Sequence, residues 1–309
     1  MMGIDQILTE EMQLFDYWSG VYSPADQHID SLRAAYDAFQ QHYTLPRTEE
    51  MQVEDFNLAL SSHCINMRVF QHVACQEQSQ QAWIFYIHGG GNVVGSADSH
   101  EYIARQLARD LKVKVFLPEY GLVPEFDWQQ GLQDCIEVYQ QLQQQAEQWN
   151  IQPEQVVIAA DGSAVATTLQ MQQMLMADQQ PQALALLFPS FMPQNLQANV
   201  QPSLIYQLEN QQLMQEWTGI CAEHAKRDVP KIDQAVPNSF VALTEYDLCA
   251  QANAALLTQL RSQTQHLEVE TGQGLRGNCL PLLRDCAATA QVYEALLKFL
   301  HPYLKELKI

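Results

Sequence analysis

Apolar and polar positions change period along this chain. Residues 4 to 43 carry apolar positions at helical spacing, most regularly in IDSLRAAYDAFQQHY, and the pattern stops at Leu45-Pro46. The spacing predicts a pair of helices. From about residue 53 short apolar runs take over: INMRVFQHVA, AWIFYIHG, VKVFLPEY, QVVIAADG, ALALLFPS and SFVALTEYD. Between several of them lie amphipathic stretches such as SHEYIARQLARDL and GLQDCIEVYQQLQQQAEQW, and QVYEALLKFLHPYL closes the chain as a further helix. Strands that alternate with helices need crossover connections, so the pattern predicts an α/β fold with a mostly parallel central sheet covered by helices. The alternation breaks over residues 191 to 238, where SLIYQLENQQLMQEWTGICAEHA reads as helical. A break of that length between strands is expected to build a structure of its own over the carboxyl edge of the sheet. The expected organisation is therefore 1–52 N-terminal helices, 53–190 and 239–309 core, and 191–238 insertion.

Composition narrows the partners. With 309 residues and 47% hydrophobic content the chain is long enough to bury a substantial core. A net charge of -20, from 36 acidic and 16 basic residues, repels phosphate backbones and anionic lipid, so neither nucleic acid nor a membrane is expected as a partner. Seven cysteines, an odd number without CxxC spacing, read as free thiols rather than as a disulfide framework or a zinc site, and no metal or cofactor is expected. The start, MMGIDQILTEEMQLF, lacks a basic segment followed by an apolar one, which points to a soluble cytoplasmic protein. The Gln runs, as in VYQQLQQQAEQW, alternate with apolar residues and read as solvated helix faces.

The chemistry concentrates in two stretches. In IHGGGNVVGS, three glycines directly after an apolar strand uncover backbone amides, as an oxyanion hole requires. In VVIAADGSAVA, β-branched residues give way to small ones around Asp161, Gly162 and Ser163, as at a strand-to-helix elbow. With these motifs the chain resembles the hormone-sensitive-lipase-like branch of the α/β-hydrolases, the bacterial acetyl-esterase and carboxylesterase group. Its HGGG matches His88, Gly89, Gly90 and Gly91; EYGLVPEFDWQQGLQD is similar to its DYRLAPE segment and following helix; TEYDLCAQANAALLTQL resembles the stretch bearing the triad acid, which falls on Asp247. The N-terminal helices and the 191–238 insertion match the two parts of the family's cap. Such proteins often dimerise, so the resemblance implies a homodimer.

The resemblance fails at two catalytic positions. The family's GDSAGG elbow superposes on Ala160 through Val165 and puts Gly162 at the nucleophile position. Sliding the register by one makes Ser163 the alternative nucleophile, but its flanks are then Asp161 and Val165, both bulky where the turn needs small residues. The triad His is expected in a loop followed by Gly, and GLRGN puts Arg276 there, 29 residues after Asp247. A guanidinium does not give up its proton and cannot serve as general base. The other histidines after Asp247, His266 and His301, stand before a strand and in the last helix.

Two readings follow. If the fold is kept, the amides of Gly89, Gly90 and Ser163, joined by the Arg276 guanidinium, form a receptor for a small carboxylate or ester-like ligand that is not turned over. The plant gibberellin receptors, which resemble these esterases and lack the triad His, offer a precedent. Arg276 is also expected to pair with Asp247, neutralising its carboxylate. The alternative is a carboxylesterase with weak hydrolysis of short-chain acyl esters, in which Ser163 or an activated water replaces the usual nucleophile. His88 is read as orienting its loop, Glu125 as a structural carboxylate, and Trp217 as a residue that lines the cleft or packs the cap.

Overall fold

Eight strands order as β1-β2-β4-β3-β5-β6-β7-β8 in one sheet. They are β1 (Met51–Ala59), β2 (Cys64–His72), β3 (Gln81–Ile87), β4 (Lys114–Pro118), β5 (Ile151–Asp161), β6 (Ala183–Leu187), β7 (Asn238–Tyr246) and β8 (Leu267–Arg276). In this computed structural model the described residues are 8–26, 28–75, 80–191, 229–247, 249–277, 279–283 and 286–304. β1 and β2 form an antiparallel hairpin, β2 meets β4 antiparallel, and every pair from β4 to β8 is parallel. The β1 strand is absent from the apolar runs of the sequence because it is a sheet edge: no face of MQVEDFNLA is fully buried.

The described helices are α1 (Glu10–Val21), α2 (Ile29–His42), α3 (Glu101–Leu111), α4 (Trp128–Gln144), the single turn α5 (Ala146–Trp149), α6 (Ala164–Met174), α7 (Ala250–Gln263) and α8 (Ala287–Leu304). Of the insertion expected over 191–238, residues 192–228 lie outside the described residues, and with them Trp217. Strand alternation sorts the core into two layers. Ile84 and Tyr86 of β3 face the layer built with α3 and α8. Trp83, Phe85 and Ile87 face the layer built with α4, α6 and α7. Because both faces are covered, β3 is buried along its whole length and reads as a continuous apolar run. Among the described residues no helix is long and apolar enough to cross a membrane.

The strand order locates the site. From β3 the chain runs through α3 to β4 on one side, then returns through α4 to β5 on the other side of β3. The carboxyl ends of β3 and β5 therefore lie side by side where strand order reverses, the place at which open α/β sheets characteristically form a ligand crevice. His88 to Gly91 leave β3 at this point, and Gly162 leaves β5.

Candidate functional site

Only Gly162 and Ser163 separate β5 from α6. Gly162 has φ +54°, a left-handed conformation that glycine adopts without strain and other residues adopt at a cost. Its amide donates to the Leu187 carbonyl (2.9 Å) and its own carbonyl accepts from the Ser190 amide (3.0 Å), so the turn is pinned to the end of β6. Ala160 and Ala164, the residues two before and two after, are fully buried. They leave the tight turn room to pack.

The glycine loop is fastened to this turn by Asp161, whose buried carboxylate accepts from the Gly89 amide (2.9 Å) and the Tyr86 hydroxyl (3.0 Å). Nε2 of His100 stands 3.3 Å from the same oxygen. This corrects one expectation: the Gly89 amide does not point into the crevice but is consumed by Asp161. A side chain on Gly89 would collide with that carboxyl group, which explains the glycine. The Gly91 amide is engaged as well, donating to the Ser163 hydroxyl at 2.8 Å. Among the described residues no acceptor is recorded for the amides of Gly90 and Ser163.

His88 is completely buried, stacked on Tyr120 at a ring distance of 4.4 Å, with Nδ1 donating to the Gly89 carbonyl at 2.8 Å. Burial depresses its pKa to about 3, so the ring is neutral and braces the loop from within. Arg33 of α2 braces it from outside, donating to the Val93 carbonyl (2.9 Å) and gripping both Glu125 oxygens (2.7 Å each).

Asp247 follows β7. One oxygen accepts from the Cys249 amide (2.7 Å) and the other from Asn253 Nδ2 (2.5 Å). Burial raises its pKa, and these hydrogen bonds only partly oppose the shift. Arg276, the last residue of β8, does not neutralise it. Instead the guanidinium clamps Asp16 of α1, with Nε 2.8 and 2.9 Å from its oxygens and Nη2 at 2.5 Å. This overturns the expected Arg276 to Asp247 pair. The reason lies in the docking of α1: the Thr9 amide donates to the Gly274 carbonyl at 3.1 Å, which brings the helix alongside β8 and presents a carboxylate to the planar guanidinium fork. Asp16 and Asn253 are site residues that sequence reasoning missed. Asn253 sits six positions past the acid on α7, close enough for local inspection, whereas Asp16 is 260 residues from Arg276 and no local signal links them.

A family model described as the α/β-hydrolase fold matches residues 84–277, from mid-β3 to the residue after Arg276. The chain belongs to this α/β-hydrolase family. An ethyl acetate hydrolase from Pseudomonas putida is 30% identical over 120 residues, a stretch spanning 38% of this chain and 38% of that protein. The chain is also similar to ESTFA, solved in an iron-lacking apo form, with a TM-score of 0.80 at 16% identity over 96% of this chain and 100% of that one. An ester hydrolase from the metagenome of Lake Arreo, solved with a bipyridine phosphonate derivative, gives a TM-score of 0.78 at 17% identity, covering 96% and 99%. At these identities the structural likeness speaks for the hydrolase fold. In this α/β-hydrolase the crevice between β3 and β5 is where the family's chemistry is to be sought.

Proposed function

We propose that this α/β-hydrolase does not cut esters at its elbow and instead holds a small carboxylate or ester-like ligand there, as a binding or regulatory protein. The observation that carries this reading is Gly162: the turn has the left-handed backbone of a nucleophile elbow and no side chain on it. The base is missing too, since Arg276 holds the place of the histidine and is committed to Asp16. Asp161 is no substitute nucleophile, because it is fully buried and carries the Gly89 amide.

What remains is a receptor made of main chain. The amides of Gly90 and Ser163 can donate to a carboxylate or carbonyl oxygen, and the missing side chain at 162 leaves space for it. Helices α1 and α2 act as part of a cap, with residues 191–238 as its second part and a homodimer as the expected assembly. Arg276 no longer belongs to the ligand's binding set. Butyrate, followed by its saturable shifts of backbone amide NMR signals, is expected to perturb Gly90 and Ser163 equally in the wild type and in Arg276→Ala. No saturable shift at millimolar butyrate would remove the binding reading, and loss of binding in Arg276→Ala would return the guanidinium to the site.

One observation favours a second reading, a weak carboxylesterase. The Ser163 hydroxyl stands 2.8 Å from the Gly91 amide, close to where an oxyanion would sit. Among the described residues, however, no histidine is hydrogen-bonded to it: His266 stacks on Phe299, His301 lies in α8, and His224 lies outside the described residues.

A further inference from the structure

The β1–β2 hairpin turns through Leu60, Ser61, Ser62 and His63, closed by the Leu60 amide on the His63 carbonyl (2.8 Å). The Ser62 hydroxyl is 2.9 Å from Nδ1 of His63, and Nε2 of the same ring is 3.3 Å from the carboxylate of Asp134 on α4. Asp134 is completely buried and held by the Gly121 amide (2.8 Å) and Gln130 Nε2 (2.8 Å), while Ser62 is exposed. The imidazole lies against the ring of Phe126 at 4.8 Å, and Phe126 is itself an exposed apolar surface. Gln130 Nε2 also reaches to 3.3 Å from the Ser62 hydroxyl.

We propose that Ser62, His63 and Asp134 form a second, independent acyl-transfer site that accepts small activated esters at the surface. The buried Asp134 carboxylate, 3.3 Å from Nε2 and outside hydrogen-bond geometry, favours by its charge the tautomer with the proton there, which leaves Nδ1 as the acceptor that a serine nucleophile needs. In the acylation step Ser62 Oγ bonds to the carbonyl carbon and its proton passes to Nδ1. The bond to the leaving oxygen then breaks, that oxygen takes the proton from His63, and water repeats the sequence to release the acid from Ser62. Gln130 donates to Asp134 and to the Ser62 hydroxyl and so holds the nucleophile in place, and Phe126 offers a face for an aryl leaving group. With no free oxyanion donor identified among the described residues and an open surface, the turnover is slow. The same loop contains its own control. Ser61 is equally exposed, but its amide (2.8 Å) and hydroxyl (2.6 Å) both donate to Glu137, with no imidazole to activate it.

The test is labelling of the full chain with a fluorophosphonate, in which the serine oxygen bonds to phosphorus, fluoride leaves, and the serine proton passes through His63 to solvent. Peptide fragmentation is expected to place the adduct on Ser62 and not on Ser61. His63→Gln should slow labelling by at least about tenfold, a conservative floor beneath the roughly hundredfold or more that a well-positioned base contributes. Absence of an adduct on Ser62, equal adducts on Ser61 and Ser62, or a rate indifferent to His63→Gln would overturn the proposal. The comparison of the two serines is made within the wild-type chain and does not depend on how any variant folds.

Discussion

Gly162→Ser combined with Arg276→His is expected to raise p-nitrophenyl acetate hydrolysis by about a hundredfold or more over the wild type, while neither change alone gains more than about tenfold, because nucleophile and base act as a unit. The turn at 162 is already built: φ is +54°, its amide and carbonyl are pinned to β6, and its flanks are alanines. A serine there takes on the backbone strain characteristic of the elbow, about 1 to 3 kcal/mol, and presents its hydroxyl to the crevice. The acid is also in place, since Asp247 is oriented by Cys249 and Asn253 with no cation on it among the described residues. Two obstacles remain. Removing the guanidinium releases Asp16, and the Ser163 hydroxyl occupies the Gly91 amide that an oxyanion would use. Adding Ser163→Ala to the pair is expected to gain roughly a further tenfold, less than the full worth of an oxyanion donor because the hydroxyl can rotate away. If the paired substitution yields a folded protein without added turnover, Gly162 and Arg276 do not hold the triad positions.

The second large effect is on stability. Arg276→Ala should cost about 2 kcal/mol at neutral pH, read from urea midpoints. The pair is mostly buried, at 17% and 25% side-chain exposure, so the value lies between those of surface and core ion pairs. Its pH dependence has a definite sign. Burial raises the Asp16 pKa above its ordinary value of 3.8, against the opposing pull of Arg276. Without the guanidinium that pull is lost and the folded-state pKa rises further. A carboxyl group with a raised folded pKa binds its proton more tightly in the folded state, so its stabilisation is present at low pH and lost as pH rises through the folded value. The deficit of Arg276→Ala should accordingly be smallest in acid and grow toward neutrality. A deficit that grows on acidification would contradict the assigned clamp.

The sequence made the architecture legible wherever burial was two-sided or a turn demanded small residues. The runs around β3 and β5 are apolar because helices cover both faces, and HGGG and ADGSA mark the loops where backbone must approach closely. It was silent about partners chosen in three dimensions. Arg276 could be recognised as unfit for a base from its chemistry alone, but its commitment to Asp16 depends on how α1 docks against β8. The Gly89 amide looked available because the glycines advertise exposure, whereas Asp161 takes it from the end of the neighbouring strand β5. Nothing local in SSH marks Ser62 and His63, because Asp134 comes to stand 3.3 Å from the imidazole only through the placement of α4.

The central claim, that no ester is cut at the elbow, is tested most directly by the initial rate of p-nitrophenyl acetate hydrolysis in Ser163→Ala and Asp247→Asn beside the wild type. The account predicts the same rate for all three proteins, because among the described residues no histidine is hydrogen-bonded to the Ser163 hydroxyl or to the Asp247 carboxylate. A fall of about tenfold or more in either variant, of the size that loss of a working nucleophile or triad acid produces, would contradict it.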